Sequence, residues 1–199
     1  KNIYDQSTSN IESKIILLRL DLNVPLENGM IIDSTRIEKI IPTIIFLLKK
    51  NTKIIIISHI GRPEGKINEL MSLKPIVTKL EQVLKALPDI DHFYEANQNI
   101  RLVKKNLREI QKDELFTNKN EKIIMLENIR FYEEEENNDD AFAKKLSSFG
   151  DIYVNDAFSC SHRSHASIDK ITKYLPSFAG IQFNEEVEDL KKITSNIKK

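Results

Sequence analysis

Several residue types are scarce in this chain, and each scarcity excludes a class of protein. A single cysteine, Cys160, in 199 residues excludes a disulfide framework within the chain and is typical of a reducing compartment. Only five glycines occur, and they form neither the GxGxxG nor the GxxxxGK[ST] phosphate loop. No stretch approaches the roughly 18 apolar residues that a membrane-spanning helix needs. We therefore expect a cytoplasmic protein that has no evident nucleotide site within this sequence.

Net charge is also absent. Lys and Arg together number 30, Asp and Glu also number 30, and the pI is about 7.1. Such a chain has no global field that would attract nucleic acid or an anionic membrane, so neither is an expected partner. An anion site, if there is one, must be local. Hydrophobic residues make up 40% of the chain, which is enough for one substantial core.

Arginine is the rarer basic residue, since most of the positive charge comes from lysine. Five of the seven arginines lie at or just after the ends of predicted strands or near the start of a predicted helix. The planar guanidinium binds carboxylates and phosphates through two parallel hydrogen bonds, which lysine cannot do. The positions of these arginines therefore indicate a geometric requirement: Arg19, Arg36, Arg62, Arg130 and Arg163.

Apolar runs alternate with helical patterns along the chain. Four nearly continuous apolar runs predict strands that are buried on both faces of a parallel sheet: 14–20, 53–58, 121–126 and 151–155. Helices are predicted over 37–48, 72–87, 141–149, 169–174 and 185–197. Because Pro42 lies inside the pattern for 37–48, that helix is predicted either to start or to kink at this residue. The fold class that follows is α/β, a three-layer Rossmann-like domain with a mainly parallel sheet and helices on both faces.

Two weaker patterns and one acidic run complete the secondary-structure prediction. Residues 92–94 suggest a short strand, and Val103, Leu107 and Ile110 suggest a helix. The run Glu133–Glu136 is interpreted as the solvated beginning of a helix, where acidic residues favour the helix dipole, rather than as a metal site.

Each of the four strongly predicted strands ends in a polar tail that contains an arginine. Because the carboxyl ends of parallel strands meet at one edge, where ligands bind, these tails should converge. One arginine at a strand end is usually only a surface ion-pair partner. The joint pattern favours a cationic basin for a small, multiply charged anion. The tails contain Arg19, Asp21 and Asn23; His59 and Arg62; Glu127, Asn128 and Arg130; and Asn155, Asp156, His162 and Arg163.

Some tail residues allow two interpretations. Asp21 and Asn23 either form an Asx turn ahead of a proline or orient the arginines and accept a hydrogen bond from a substrate hydroxyl. Asp156 is interpreted as a partner for Arg163 or as a helix cap. Cys160 is interpreted as a small buried residue.

Taken in order, the tails resemble the N-terminal domain of the phosphoglycerate kinase family. The resemblance spans residues 14–190 and includes the segment Asp33 to Arg36. It rests on RLDLNVP at 19–25, SHIGRP at 58–63, SLKPI at 72–76, LENIRF at 126–131, GDIYVNDAF at 150–158, HRSHAS at 162–167 and LPSFAG at 175–180. The chain departs from the family pattern at Ser159-Cys160-Ser161, where relatives more often have Gly-Thr-Ala, and over residues 95–120.

The resemblance implies roles for individual residues. Asp21 and Asn23 would contact the hydroxyl and carboxylate end of 3-phosphoglycerate. Arg36 would be the catalytic residue, which holds the substrate carboxylate and stabilises the transferring phosphoryl group. The non-transferred phosphate would be held by His59, Arg62, Arg130 and Arg163, and the basic patch would be completed by Arg19, His162 and His165.

The resemblance also implies an activity and a domain organisation. The family transfers a phosphoryl group reversibly between 1,3-bisphosphoglycerate and ADP, giving 3-phosphoglycerate and ATP. Residues 1–184 would form the N-terminal phosphoglycerate-binding domain, and residues 185–199 would begin the interdomain helix. MgATP or MgADP would bind to a C-terminal domain outside this sequence, so we expect no cofactor or metal on this chain and no turnover by it alone. The expected partners are the phosphoglycerates and its own C-terminal domain, in a monomer.

An alternative function remains open. The chain is then a stand-alone phospho-acid-binding module without kinase activity. The length of the encoding reading frame separates the two, because a kinase needs about as much chain again.

Overall fold

The computed structural model describes residues 1–27, 29–88, 90–95 and 98–197. Its strands are β1 (Ile15–Leu20), β2 (Leu26–Glu27), β3 (Met30–Ile31), β4 (Lys53–Ile57), β5 (Arg101–Val103), β6 (Ile123–Leu126), β7 (Ile152–Asp156) and β8 (Ser177–Ala179). Its α-helices are α1 (Thr8–Ile11), α2 (Thr35–Lys39), α3 (Ile41–Lys49), α4 (Lys74–Lys85), α5 (Glu133–Glu136), α6 (Asp140–Ser147) and α7 (Ile181–Ile197). Single 3-10 turns lie at Ile3–Asp5, Glu69–Met71, Ile90–His92, Lys112–Glu114, Ile129–Phe131, Phe158–Cys160 and Lys170–Lys173.

One parallel sheet forms the centre of the molecule. Its six strands run in the order β5-β6-β4-β1-β7-β8, while β2 and β3 form a separate antiparallel hairpin. In the central register, Leu17 of β1 pairs with Ile55 of β4 and with Tyr153 of β7. The β-branched and aliphatic runs favour strands here because both of their faces are covered.

Alternate residues of each strand serve two separate cores. On one face, Ile16, Leu18 and Leu20 pack in the cluster that holds the apolar residues of α3 and α4. On the other face, Leu17 packs in the cluster that holds those of α6. Helices therefore cover both faces of the sheet, which confirms the predicted three-layer α/β class. In the described part of the chain, no helix is both long enough and apolar enough to cross a membrane.

Pro42 starts a helix and does not kink one. Ile40 ends α2 and immediately caps α3, which places Pro42 in the first turn of α3, where a missing N–H costs nothing. The helix predicted over 37–48 is thus two helices with a break at Ile40.

Several of the weaker secondary-structure predictions were wrong. Residues 92–94 are not a strand, since a 3-10 turn covers Ile90–His92. The helix suggested by Val103, Leu107 and Ile110 is instead β5 followed by turns; the three side chains are apolar because all of them pack into the second core. The segment 169–174 forms only the 3-10 turn Lys170–Lys173, and β8 was not predicted.

The last helix begins earlier than predicted, at Ile181 and not at residue 185. Residues 198 and 199 of the predicted interdomain segment lie outside the described residues. The division into a domain ending at 184 and an interdomain helix stays a prediction.

The topology fixes where a ligand should bind. The chain leaves β1 towards β4 on one side, and it leaves β7 towards β8 on the other. Where neighbouring strands of a parallel sheet connect in opposite directions, their carboxyl ends leave a crevice between them. In this fold that crevice lies between the tails of β1 and β7.

Candidate anion-binding site

A polar cleft of about 270 Å³ occupies this crevice. All seven residues predicted to bind substrate line it, together with three residues that sequence reasoning did not place there: Gly61, Ser159 and Cys160. The predicted residues in the lining are Asp21, Asn23, Arg36, His59, Arg62, Arg130 and Arg163. The parallel strands therefore bring the tails of β1, β4, β6 and β7 to one place, as their common layout predicted.

The tail of β1 forms the Asx turn and also orients an arginine, while its hydrogen bond to a substrate hydroxyl stays a prediction. One oxygen of Asp21 accepts the backbone N–H of Asn23 at 3.2 Å, which is an Asx turn. Its other oxygen accepts hydrogen bonds from the Arg36 guanidinium and from the Ser159 hydroxyl. The Asn23 side chain accepts the backbone N–H of Gly61 at 3.0 Å. Asp21 thus orients Arg36, whose side chain stays 48% exposed at the rim of the cleft.

Arg130 is the buried arginine of the cleft lining, with 3% of the residue exposed. Its Nη1 donates to the Gly61 carbonyl at 2.9 Å, whereas Nε and Nη2 have no hydrogen-bond partner among the described residues. Nε lies 3.5 Å from a carboxylate oxygen of Glu136. Buried donors without partners are costly, and a bound anion would satisfy them. Burial lowers the pKa of Arg130 from its ordinary value, although an arginine still remains charged.

The side chain of Asn128 places Arg130. Its Oδ1 accepts the Arg130 backbone N–H at 3.1 Å, and its Nδ2 donates to the carbonyls of Ile60 and Met71 at 2.8 and 3.0 Å. The tails of β4 and β6 are therefore tied to each other by one buried amide.

Arg19 lies behind the cleft and not in its lining. Its side chain is fully buried, its Nε donates to Ser167 Oγ at 3.0 Å, and its Nη2 lies 3.1 Å from His59 Nδ1. Burial, together with the charges of Arg19 and Arg130, lowers the pKa of His59 to about 2. His59 is therefore a neutral hydrogen-bonding group in the cleft and adds no positive charge.

The two histidines predicted to support the basic patch lie outside the lining. His162 is exposed, whereas His165 is buried and its Nδ1 lies 3.7 Å from Glu135 Oε1. Burial and the charges of Arg130 and Arg163 lower the pKa of His165 to about 4. His165 is thus neutral near neutral pH and supplies packing rather than charge.

Glu135 corrects the interpretation of the acidic run. Three of its four residues fit a solvated beginning of a helix, but Glu135 is fully buried. Its carboxylate accepts the Ser167 backbone N–H at 2.8 Å and the Ser167 hydroxyl at 2.6 Å. Burial raises the pKa of Glu135, and the nearby charge of Arg19 opposes that rise. Four consecutive glutamates give no sign of which one turns inward.

Asp156 is a helix cap and not a partner for Arg163. One carboxylate oxygen accepts the Phe183 backbone N–H of α7 at 2.8 Å, and the other accepts the Thr43 hydroxyl at 2.5 Å. Burial raises the pKa of Asp156. Cys160 is 5% exposed, which confirms its interpretation as a small buried residue.

The cleft is better suited to an anion than to a cation. Atoms of Asp21, His59 and Cys160 that could ligate a metal lie within 4.8 Å of one another in the described part of the chain. The arginines that line the same cleft would repel a cation, and Arg36 already occupies the carboxylate of Asp21.

Comparison with protein families gives a match to the phosphoglycerate kinase model over residues 6–199. The chain belongs to the phosphoglycerate kinase family. Curated relatives include the phosphoglycerate kinases of Wolbachia pipientis wMel, 44% identical over 98% of this chain, and of Orientia tsutsugamushi (strain Ikeda), 43% identical over 95%. The chain spans 46% and 44% of the length of these two relatives.

Solved phosphoglycerate kinases share the fold. The enzyme from Coxiella burnetii is 30% identical, with a TM-score of 0.80 over 96% of this chain and 44% of its own. The enzyme from Pyrococcus horikoshii OT3 is 26% identical, with a TM-score of 0.78 over 96% of this chain and 45% of its own. Both alignments therefore cover less than half of the solved chain.

Two residues of Ser159-Cys160-Ser161, the segment at which the resemblance predicts a departure from the family pattern, fall within the site. Ser159 and Cys160 line the cleft, and the Ser159 hydroxyl donates to Asp21. A glycine at 159 would have no side chain for this hydrogen bond. Ser161 turns away from the cleft and donates to the Phe158 carbonyl at 2.6 Å.

Proposed function

We propose that this chain is the phosphoglycerate-binding lobe of a phosphoglycerate kinase. The complete enzyme would transfer a phosphoryl group reversibly between 1,3-bisphosphoglycerate and ADP, giving 3-phosphoglycerate and ATP, as part of glycolysis. The observation that carries this proposal is the cleft at the strand ends, in which two donor nitrogens of the buried Arg130, Nε and Nη2, have no hydrogen-bond partner among the described residues. Family membership supplies the reaction.

The lining fits a short molecule with an anionic group at each end. Arg62, Arg130 and Arg163 would bind the phosphate of 3-phosphoglycerate, since guanidinium groups match phosphate oxygens bidentately. His59 would donate a further hydrogen bond there. Asp21 and Asn23, at the opposite tail, would contact the glycerate hydroxyl and carboxylate.

Arg36 would act in the transfer itself. Phosphoryl transfer needs in-line positioning and the neutralisation of charge on the equatorial oxygens, with little covalent chemistry from the protein. Arg36 lies on α2 at the exposed rim, and there its guanidinium would contact both the substrate carboxylate and the transferring group. Asp21 would hold Arg36 in place before substrate arrives.

We assign MgATP and MgADP to the second lobe of the complete enzyme. Among the described residues, no aromatic side chain lines the cleft to receive a nucleotide base. We further propose that the complete enzyme is a cytoplasmic monomer, that its two lobes are partners, and that this chain alone has no turnover. Closure of the two lobes would exclude water from the transferring group.

Calorimetric titration of the chain with 3-phosphoglycerate tests the binding step. We expect binding that is abolished by Arg163→Ala and unaffected by Arg108→Ala. The control arginine makes a bidentate pair with Glu134 at 2.7 and 2.8 Å, outside the cleft lining. No binding by the unaltered chain, or equal losses in both variants, would overturn the proposal.

Kinetics test the transfer step. The complete enzyme should phosphorylate 3-phosphoglycerate with ATP, and residues 1–199 alone should not. Turnover by the chain alone would show that the nucleotide site lies within it. Binding without turnover in the complete protein would favour the stand-alone phospho-acid-binding module.

A further inference from the structure

A buried chain of four side chains runs from α5 to the cleft. Glu135 accepts from Ser167 Oγ at 2.6 Å, Ser167 Oγ accepts from Arg19 Nε at 3.0 Å, and Arg19 Nη2 lies 3.1 Å from His59 Nδ1. Glu135, Ser167 and Arg19 are fully buried, and His59 is 2% exposed. Of the four residues, only His59 lines the cleft.

The chemistry of these groups gives every hydrogen bond one direction. An arginine side chain has donors and no acceptor. His59 Nδ1 must therefore accept from Arg19, and Ser167 Oγ must accept from Arg19 Nε. The single hydroxyl proton of Ser167 is then left for the carboxylate of Glu135, which accepts the Ser167 backbone N–H as well, at 2.8 Å.

This direction fixes the protonation state of the imidazole. A ring nitrogen that accepts a hydrogen bond carries no proton, so His59 is neutral and its one proton lies on Nε2. Nε2 is the ring nitrogen that remains available to a ligand in the cleft, and it can only donate a hydrogen bond there. The opposite tautomer would place a lone pair towards an incoming anion and would repel it.

Glu135 is what allows an arginine to occupy this position. A buried guanidinium without an anionic partner would be strongly disfavoured. The backbone of Glu135 adds a second constraint, because its carbonyl accepts the Ala166 N–H at 2.9 Å and so anchors the segment that carries Ser167. The hydroxyl of Tyr153, on β7, donates to the Ser167 carbonyl at 2.7 Å and holds the segment from the other side.

We propose that Glu135 and Ser167 are positioning residues that act through Arg19 to hold His59 as the Nε2–H tautomer, so that His59 donates a hydrogen bond to the anionic substrate. The part of this proposal that concerns the substrate rests on the proposed function. The tautomer itself does not, because it can be observed in the unliganded chain.

Long-range ¹H–¹⁵N NMR spectra of the ¹⁵N-labelled chain measure the tautomer directly. The chain has four histidines, and the His59 signals are assigned by their loss in His59→Gln. We expect a protonated Nε2 and an unprotonated Nδ1 near neutral pH. A protonated Nδ1, or a ring protonated on both nitrogens, overturns the inference without any variant of Glu135, Ser167 or Arg19.

Variants then test the more distant residues. Ser167→Ala and Glu135→Gln should convert the His59 signals to a mixture of tautomers and weaken 3-phosphoglycerate binding roughly tenfold, the lower end expected for a hydrogen bond to a charged group. Glu134→Gln is the matched control: the same change on the same helix, at a residue that pairs with Arg108. It should change neither the His59 tautomer nor the affinity for 3-phosphoglycerate.

The outcomes separate this inference from the function. If the unaltered chain shows the Nε2–H tautomer but binds no 3-phosphoglycerate, the proposed function fails and the tautomer assignment stands. If Ser167→Ala changes neither tautomer nor affinity, the positioning role is refuted while the function stands. If Glu135→Gln does not fold, Ser167→Ala and the spectrum of the unaltered chain still decide the matter.

Discussion

The basic groups of the site divide into two halves that differ in burial. The inner half consists of Arg19, His59 and Arg130, which are 0%, 2% and 3% exposed. The outer half consists of Arg36, Arg62 and Arg163, of which Arg36 and Arg62 are exposed and Arg163 is partly buried. The inner half follows or lies within strands, where the core fixes the backbone. The outer half is carried by α2 and by loops.

This difference in burial separates the groups that stabilise the fold from those that bind the ligand. A buried arginine must have partners in the unliganded protein, so a change there should first damage folding. An exposed arginine is solvated at little cost, so a change there should damage substrate binding or turnover alone. Arg130 combines the two properties, because it is buried and yet has donor nitrogens without a hydrogen-bond partner in the described part of the chain, which a bound anion would satisfy.

The largest expected effect separates turnover from stability in the outer half. Arg36→Ala in the complete enzyme should lower kcat by about 10³-fold or more, as loss of an arginine that stabilises a transferring phosphoryl group does. The unfolding free energy should change by less than about 0.5 kcal/mol, because the side chain is half-exposed. Steady-state kinetics and urea unfolding measure both. Near-normal turnover would refute the role of Arg36.

The inner half should give the opposite result. Arg19→Met should lower the unfolding free energy by about 3–5 kcal/mol, because it removes the charge nearest the buried carboxylate of Glu135 and the donor to Ser167 that joins the two. The double variant Arg19→Met/Glu135→Gln should recover part of this loss. Arg101→Met is a control at an ion pair with Glu121 that keeps partial access to solvent, with side chains 34% and 13% exposed, and it should cost about 1 kcal/mol. Equal losses at Arg19 and Arg101 would contradict the division into halves.

The sequence predicted which residues line the cleft better than it predicted which polar side chains are buried. Strand runs such as 53–58 and the polar tails that follow them are local patterns, and parallel pairing brings the tails together without further information. Four basic residues of the cleft could therefore be placed from the strand tails: His59, Arg62, Arg130 and Arg163. Arg36 was placed by the family resemblance alone.

Burial of polar groups could not be predicted in the same way. Arg19 was expected in the basic patch but lies behind it, and Glu135 was expected in solvent but lies in the core. The side chains that settle these positions are Ser167 and Tyr153, which are far from Arg19 in the sequence. Such long-range partners leave no periodic pattern. The short strands β5 and β8 escaped prediction for a related reason, since three residues are too few to show alternation.

Arg163 offers an intermediate test, since it is partly buried and lines the cleft. Arg163→Lys keeps the charge but replaces a bidentate group with a point charge. We expect KM for 3-phosphoglycerate to rise roughly tenfold, the loss of about one charge-assisted hydrogen bond, while kcat changes little. Arg108→Lys controls for the same change outside the cleft. An unchanged KM would remove Arg163 from the substrate ligands.

The smallest expected effect concerns the charge state of the inner half. His59 has a pKa of about 2 in the folded chain because burial and the charges of Arg19, Arg130 and Arg163, with His165 nearby, oppose its protonation; its ordinary value is 6.5. Between these values the unfolded chain binds more protons than the folded one, so stability is present above pH 6.5 and is lost as the pH falls.

His59 should therefore contribute about 1 kcal/mol of lost stability over the first pH unit below its ordinary pKa. His165, whose pKa is lowered to about 4, adds its own loss of stability as the pH falls. The comparison must therefore be between the unaltered chain and His59→Gln. The variant should lose part of the acid dependence, as measured by urea unfolding at two pH values, whereas His92→Gln on the exposed surface should keep it. The same acid dependence with and without His59 would mean that the histidine is not held neutral, and all three basic groups of the inner half would then be charged.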